Sequence, residues 1–230
     1  MGIRNSLIDL LFPKKCLACG QIGCWLCSDC EKKIIVEKIF YCPRCLETRN
    51  FLEVCPDCRA GSFLDGLYVI APYHDQLVSK TIKLIKYNLA WDLAEEVITK
   101  YFRDYFVSNN YWDSEYFLTP IPLHQRRYLE RGFNQAELIA KILEQTRGNK
   151  LSETYFLKRK KYNPPQAKLS GQARRNNVKD IFQVDNHSYL NKKILLIDDV
   201  YTTGATMQEA AKALKESGIA KVYGLALAKG

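Results

Sequence analysis

The segment Ile194-Leu195-Leu196-Ile197-Asp198-Asp199-Val200-Tyr201-Thr202-Thr203-Gly204-Ala205-Thr206 carries the densest chemistry in the chain. Apolar residues run into two acids, and a hydroxyl-rich turn with one glycine runs into a helical pattern. Ligands of α/β folds bind at the carboxyl ends of parallel strands. Thr202, Thr203, Gly204, Ala205 and Thr206 would offer backbone N–H groups and hydroxyls at a helix start, a setting that favours phosphate. Gly204 permits close backbone approach or a conformation closed to side chains. Asp198 and Asp199 would accept hydrogen bonds from sugar hydroxyls, or hold Mg²⁺ through water.

A second chemistry lies at the front. All nine cysteines of the 230 residues fall between Cys16 and Cys58, as Cys16-x2-Cys19, Cys24-x2-Cys27-x2-Cys30, Cys42-x2-Cys45 and Cys55-x2-Cys58. Two residues between thiolates let one tight turn present both sulfurs to a tetrahedral ion, which is a zinc signature. A disulfide framework is the competing explanation. It would suit a secreted protein, but Met1–Ser6 lacks a signal-peptide pattern and fits only the loose one for myristoylation. Sequential pairing is the simplest: Cys16, Cys19, Cys27 and Cys30 around one ion, and Cys42, Cys45, Cys55 and Cys58 around another. Cys24 is then left over, although the overlapping pairs also allow other choices, including an interleaved one. With every position a thiolate, the zinc is structural, and in so short a segment it supplies folding energy.

Charge is concentrated elsewhere. The chain has 34 Lys+Arg against 25 Asp+Glu, a formal +9, which two tetrathiolate zinc sites would lower to about +5. From Arg147 to Asp180, ten basic residues face Glu153 and Asp180. Lys158, Arg159, Lys160, Lys161, Arg174 and Arg175 stand among them, beside Pro164-Pro165 and Gly171, which suggests a loop. Such a loop would close over pyrophosphate or grip a nucleic-acid backbone with salt-dependent affinity. Tyr155, Phe156, Tyr162 and Phe182 could stack unpaired bases there, or sit in the core. His74, His124 and His187 are isolated, so they read as surface or capping residues.

These groups need a frame. Gly66–Tyr73, Tyr116–Thr119, Lys193–Ile197 and Val222–Leu227 read as strands. Helical patterns begin after Asp75, with Leu77, Ile82, Leu84 and Ile85 inward, and span Leu93–Phe106, Phe133–Glu144 and Ala205–Glu216. Alternation of this kind predicts an α/β fold with a mainly parallel sheet and flanking helices. At 47% hydrophobic and 26% charged, the composition excludes a disordered tail or a fibre, and no apolar run is long enough for a membrane span.

The Ile194–Thr206 segment resembles the phosphoribosyl diphosphate (PRPP) motif of type I phosphoribosyltransferases. Pro120-x-Pro122, Arg126-Arg127 and Arg131-Gly132-Phe133-Asn134-Gln135-Ala136 resemble the ComF family. So do Gln166-x2-Leu169-Ser170, Arg174-Arg175-x-Asn177, Phe182 and the four cysteine pairs. The resemblance implies a type I phosphoribosyltransferase fold at 61–230 behind a double zinc ribbon at 1–60. It also implies a cytoplasmic factor of natural transformation that binds single-stranded DNA and has a PRPP pocket with magnesium. A competence helicase or recombination mediator would be a further partner. Asp198 and Asp199 would take the ribose hydroxyls and Thr202–Thr206 the 5′-phosphate, with the Pro120–Pro122 segment near pyrophosphate. Purine-transferring relatives carry an acid at the position of Thr202, so purine salvage is disfavoured and no catalytic residue is assigned. The alternative is a transferase acting on a small-molecule acceptor.

Overall fold

The apolar stretch Ile194–Ile197 is fully buried because it lies in the middle of a sheet that helices cover on both faces. The computed structural model describes residues 13–33, 39–87, 93, 95–100, 116–147, 150–151, 156–161, 179–185, 189 and 191–230. Its strands are β1 (Ile39–Tyr41), β2 (Thr48–Arg49), β3 (Gly66–Pro72), β4 (Tyr116–Pro120), β5 (Lys150–Leu151), β6 (Leu157–Arg159), β7 (Phe182–Val184), β8 (Lys193–Tyr201) and β9 (Lys221–Lys229). The helices are α1 (Ser28–Glu31), α2 (Gln76–Tyr87), α3 (Gln125–Arg131), α4 (Gln135–Arg147) and α5 (Ala205–Glu216), with a 3-10 turn at Pro56–Gly61.

Seven strands form one sheet in the order β2-β1-β3-β9-β8-β4-β5, while β6 and β7 form a separate antiparallel pair. From β3 to β5 every pairing is parallel; β1 runs antiparallel to β3, and β2 to β1. The cysteine-rich segment therefore contributes two strands to the same sheet as the body.

Alternate residues of each strand go to opposite faces. Leu195, Ile197, Leu225 and Leu227 join Val78, Ile82 and Ile85 of α2 and Ile139 and Leu143 of α4 on one side. Ile194, Leu196, Val222 and Ala226 join Met207, Ala210, Ala211 and Leu214 of α5 on the other. Gly224 allows α5 this close, since a Cβ there would lie 2.4 Å from the Met207 sulfur.

The α/β architecture with a mostly parallel sheet is as expected, and several boundaries differ. β8 runs four residues beyond Ile197, carrying both acids inside the strand, because β9 continues the ladder with Asp198 opposite Ala226 and Tyr201 opposite Lys229. On α2 the buried residues are Val78, Thr81, Ile82 and Ile85, while Leu77 and Leu84 are only partly covered. The Leu93–Phe106 helix is seen at residues 93 and 95–100; the rest lies outside the described residues.

The fourth helix begins at Gln135 rather than Phe133 because Asn134 caps it. Its Oδ1 accepts from Ala136 N (3.1 Å), while Nδ2 donates to the Ile121 carbonyl (3.0 Å) and to Glu137 Oε1 (3.2 Å). Gln135 Nε2 donates to the Ile85 carbonyl at 3.4 Å, joining α4 to α2. Both side chains are buried. The Arg131–Ala136 motif thus holds the segment after β4 in place. Asn134→Ala removes a cap and strands a buried carbonyl, so it should cost ~1–3 kcal/mol; Asn134→Asp, keeping the cap oxygen, should cost less. Denaturant midpoints check this, and an unshifted Asn134→Ala midpoint refutes the assignment.

Candidate phosphate and metal sites

The turn after β8 is built around Tyr201. Its ring is buried, and its hydroxyl donates to the Pro43 carbonyl at 2.6 Å. Burial pushes the phenol's pKa up, a hydrogen bond with Gln208 opposing it, so the hydroxyl stays protonated. Gly204 sits on this ring at φ +71°, and a Cβ there would meet the Tyr201 oxygen at 2.0 Å. Both the backbone angle and the space exclude a larger residue. Gly204 is the N-cap of α5 without a side-chain cap; Thr203 Oγ1 accepts a long hydrogen bond from Ala205 N at 3.4 Å.

The starts of α2, α3 and α4 are closed, while the one-turn α1 has no side-chain cap either. Asp75 accepts from Leu77 N and Val78 N at 2.8 and 3.1 Å, His124 Nδ1 from Arg126 N at 3.2 Å, and Asn134 caps α4. Capping by His124 accords with its expected role. Asp198, Val200 and Tyr201–Met207 line a shallow concavity open to solvent. Asp198 and Asp199 are both half-buried, and Asp198 Oδ1 accepts from Asp199 N at 2.9 Å. Asp199 instead borders the crevice between α2 and α4, with Ile85, Gln135 and Ile139.

The basic run is divided by strand geometry. In β6, Lys158 is exposed and paired with Asp185, and Lys160 and Lys161 beyond it are exposed. Arg159 is half-buried, 5.9 Å over the Phe182 ring, and its Nε is buried without a hydrogen-bond partner. Burial first, then the charge of Arg127, hold its pKa down to about 10, with Asp198 pulling the other way. Arg159, Arg127 and Asp198 therefore share one electrostatic environment. Arg127 stands out in the sequence within the Arg126-Arg127 pair, but its closeness to Arg159 comes only from the fold, since β6 and α3 are far apart in sequence. The β6–β7 pair is tied to α5: Glu209 Oε1 accepts from Asp180 N at 2.7 Å, and Lys212 Nζ meets Asp180 Oδ1 at 3.1 Å.

Phe156 and Phe182 are buried, so of the two readings open to them, base stacking and core, these two take the core. They pack against Tyr189, Leu196 and α5 because these short strands otherwise have little apolar surface to bury. Tyr155, Tyr162, Arg174 and Arg175 lie outside the described residues, as does His187.

The cysteines separate into two groups, Cys16, Cys19, Cys27 and Cys30, and Cys42, Cys45, Cys55 and Cys58, with the sulfurs of each within 4.8 Å of one another. The Cys19–Cys27, Cys42–Cys55 and Cys45–Cys55 sulfur separations are 3.6, 3.6 and 3.8 Å. A tetrahedral ion with Zn–S of ~2.3 Å has sulfur–sulfur edges of about 3.8 Å, so both groups could hold zinc. Burial opposes ionisation of Cys16 and Cys42, yet backbone N–H donors within each group outweigh it and bring both to about 6. At the other end Cys30 and Cys58 are pushed up to about 12, first by hydrogen bonds with Cys27 and Cys55 and then by burial. Four clustered sulfurs cannot all ionise alone, and a dication relieves that conflict. Cys24 stands outside both groups, its thiol raised chiefly by burial. Among the described residues, no helix is long and apolar enough to cross a membrane.

Residues 129–228 match the phosphoribosyl transferase domain family. Fold and motif thus define a phosphoribosyltransferase-type domain behind two four-cysteine groups that fit zinc ribbons. The chain is 31% identical over 202 residues to competence protein ComFC of Bacillus subtilis, covering 84% of this chain and 79% of that one. It is 30% identical over 212 residues to competence protein F of Haemophilus influenzae, covering 88% and 90%. DNA utilization protein YhgH of Escherichia coli K12 matches at 26% over 221 residues, covering 93% and 96%. The chain belongs to the ComF family.

Elemental analysis of the purified protein should find two zinc ions per chain, and Cys24→Ser should keep both. A count of one, or loss of an ion on Cys24→Ser, overturns this division of the thiolates.

Proposed function

We propose that this protein acts in DNA uptake, in the cytoplasm, as a single-stranded DNA-binding factor whose PRPP pocket lies at the end of β8. The observation that supports the pocket most is the start of α5, which carries the motif Thr202–Thr206 and is left without a side-chain cap while α2, α3 and α4 are capped. Uncapped N–H groups at a positive helix end suit a 5′-phosphate. Asp198 and Asp199 would take ribose hydroxyls, directly or through Mg²⁺, which would neutralise diphosphate charge where it binds. The metal-held ribbon at 1–60 serves this reading as the frame of the domain at 61–230.

Strand alternation supports two destinations for the basic run. Lys160 and Lys161 face solvent and suit the phosphates of a polyanion, with Lys158 partly neutralised by Asp185. Arg159 is half-buried over Phe182, with its Nε unpartnered and within the electrostatic reach of Asp198, and suits a bound diphosphate. That inward guanidinium, still charged at neutral pH, favours the second reading as well, a transferase releasing pyrophosphate to an unidentified small acceptor. Arg159 and Arg127 would take up the charge that develops on the leaving diphosphate. Thr202, having no carboxylate, would leave the acceptor to be deprotonated otherwise or to need no base.

Fluorescence anisotropy of a labelled oligonucleotide, single-stranded against duplex, over a salt series with and without PRPP and Mg²⁺, tests both. Wild type should prefer the single strand at moderate salt. Lys160→Ala with Lys161→Ala should weaken DNA binding and lower the log–log salt slope by about 1.4, ~0.7 per lost phosphate contact. Arg159→Ala should weaken PRPP binding tenfold or more while leaving DNA affinity nearly unchanged, by analogy with the loss of a charge-assisted contact at ~1.5–3 kcal/mol. Equal, salt-erased binding of both DNA forms defeats the DNA reading; PRPP-dependent pyrophosphate release with some acceptor favours the transferase.

A further inference from the structure

The two cysteine groups differ in what they touch. The first is docked on a helical segment remote in sequence from the β8 turn: Glu96 Oε1 accepts from Trp25 N and Leu26 N at 3.0 and 3.4 Å, and Lys100 Nζ donates to the Leu26 carbonyl. Lys80 Nζ adds a 3.5 Å contact to the Leu17 carbonyl. The second group is bound to the β8–α5 turn itself. Pro43 lies between Cys42 and Cys45, and its carbonyl accepts from the buried Tyr201 hydroxyl at 2.6 Å. Gly204 rests on that same oxygen.

Two further ties run in parallel. Ser62 and Phe63 follow the Pro56–Gly61 turn that carries Cys58. Gln208, in the first turn of α5, donates from Nε2 to Ser62 Oγ at 3.0 Å and accepts at Oε1 from Phe63 N at 2.9 Å. On the sheet, Lys229 Nζ lies 4.2 Å over the Tyr41 ring, and Gly230 N donates to the Tyr201 carbonyl at 3.0 Å. The loop that carries Pro43 is held by Cys42 N donating to the Glu47 carbonyl and Leu46 N to the Cys42 carbonyl, at 2.9 and 3.0 Å, and by the sulfurs of Cys42 and Cys45 on either side of Pro43, which belong to one four-thiol group. The turn after β8 is therefore tied to a loop that this group helps to shape.

We propose that Tyr201 is a positioning residue that couples the Cys42–Cys45–Cys55–Cys58 metal centre to the Thr202–Thr206 turn, so that metal at this centre strengthens phosphate binding and bound phosphate slows loss of this metal. The coupling rests on the phosphate and zinc readings given above. It is reciprocal, because a binding free energy shared by two sites acts equally on both. The Cys16–Cys19–Cys27–Cys30 centre, docked elsewhere, does not take part.

The test uses the full-length, zinc-loaded chain and ribose 5-phosphate as probe. Calorimetry measures probe affinity. A chelator with N-ethylmaleimide releases metal and alkylates the freed thiols, and peptide mass spectrometry reads which cysteines react and how fast. Saturating probe should slow alkylation of Cys42, Cys45, Cys55 and Cys58 by about fivefold or more, in the usual range of coupling, and leave the rates at Cys16, Cys19, Cys27 and Cys30 unchanged. Tyr201→Phe keeps the ring beneath Gly204 and removes only the hydroxyl. It should weaken the probe about five- to tenfold, the worth of one buried hydrogen bond, and abolish the selective protection with both zinc ions retained. Gln208→Ala, which cuts the parallel tie, should reduce the same protection and decides the matter should Tyr201→Phe fail to fold. Probe binding that protects both groups or neither, or protection that survives in both variants, overturns the coupling alone. Absence of probe binding by wild type overturns the phosphate reading, and the coupling with it.

Discussion

A helix start that is to hold an anion must leave its N–H groups without internal partners, so something outside the helix has to keep it in shape. At α2, α3 and α4 the first-turn donors are taken by Asp75, His124 and Asn134, and each helix start is closed by its own chain. At α5 there is no such side-chain cap. Its turn is set instead by Tyr201 beneath Gly204 and by Gln208 reaching Ser62 and Phe63. A start kept open in this way makes demands on the elements around it. β8 must be long enough to carry Tyr201 to the sheet's end, and β9 must run beside it to Lys229. The cysteine-rich segment must then pack where the Tyr201 hydroxyl can reach it.

Charge placement obeys the same frame. Four consecutive basic residues, Lys158–Lys161, look equivalent in the chain. A pleated strand makes neighbours face opposite ways, so Arg159 goes inward beside Phe182 while Lys158 and Lys160 go out. An inward guanidinium has lost much of its hydration and, at Nε, has no partner, a cost that a bound anion would offset. An outward ammonium keeps its water and acts as a screened point charge. One short run therefore presents a partly desolvated guanidinium on one face and solvated ammonium groups on the other.

How much of this was legible in the chain depends on the range of the interactions that fix each part. Long apolar runs read correctly, because Gly66–Pro72 and Lys193–Ile197 carry their own burial pattern. The grouping of eight thiols also matched the sequential pairing, since two-residue spacing restricts which sulfurs meet. Elements that exist only through partners were harder to see. β6 and β7 have three residues each and are held by Phe156, Ile181 and Phe182 packing under α5. The extension of β8 through both acids comes from its ladder with β9, which no local propensity of Asp198-Asp199 would suggest. Tyr201 sat in view within the motif, but its role needs Pro43, a residue 158 positions away. The closeness of Arg127 to Arg159 was hidden for the same reason.

The need for metal-held strands at the edge follows from size. Among the described residues, the second cysteine group clusters with only Val54 as a buried apolar companion to Cys42 and Cys55, too little apolar area to order a segment of its length. β2 has two residues, too few to be a stable edge by itself. Thiolate ligation of a metal would supply the missing order without a core, and would do so where the sheet would otherwise end at β3. An edge built in this way is short, which limits unwanted strand pairing, and it is stiff where Pro43 faces Tyr201. A larger apolar domain could have covered β3 equally well. It would not have placed a backbone carbonyl, flanked by two cysteines of a four-thiol group, against the base of the turn that starts α5.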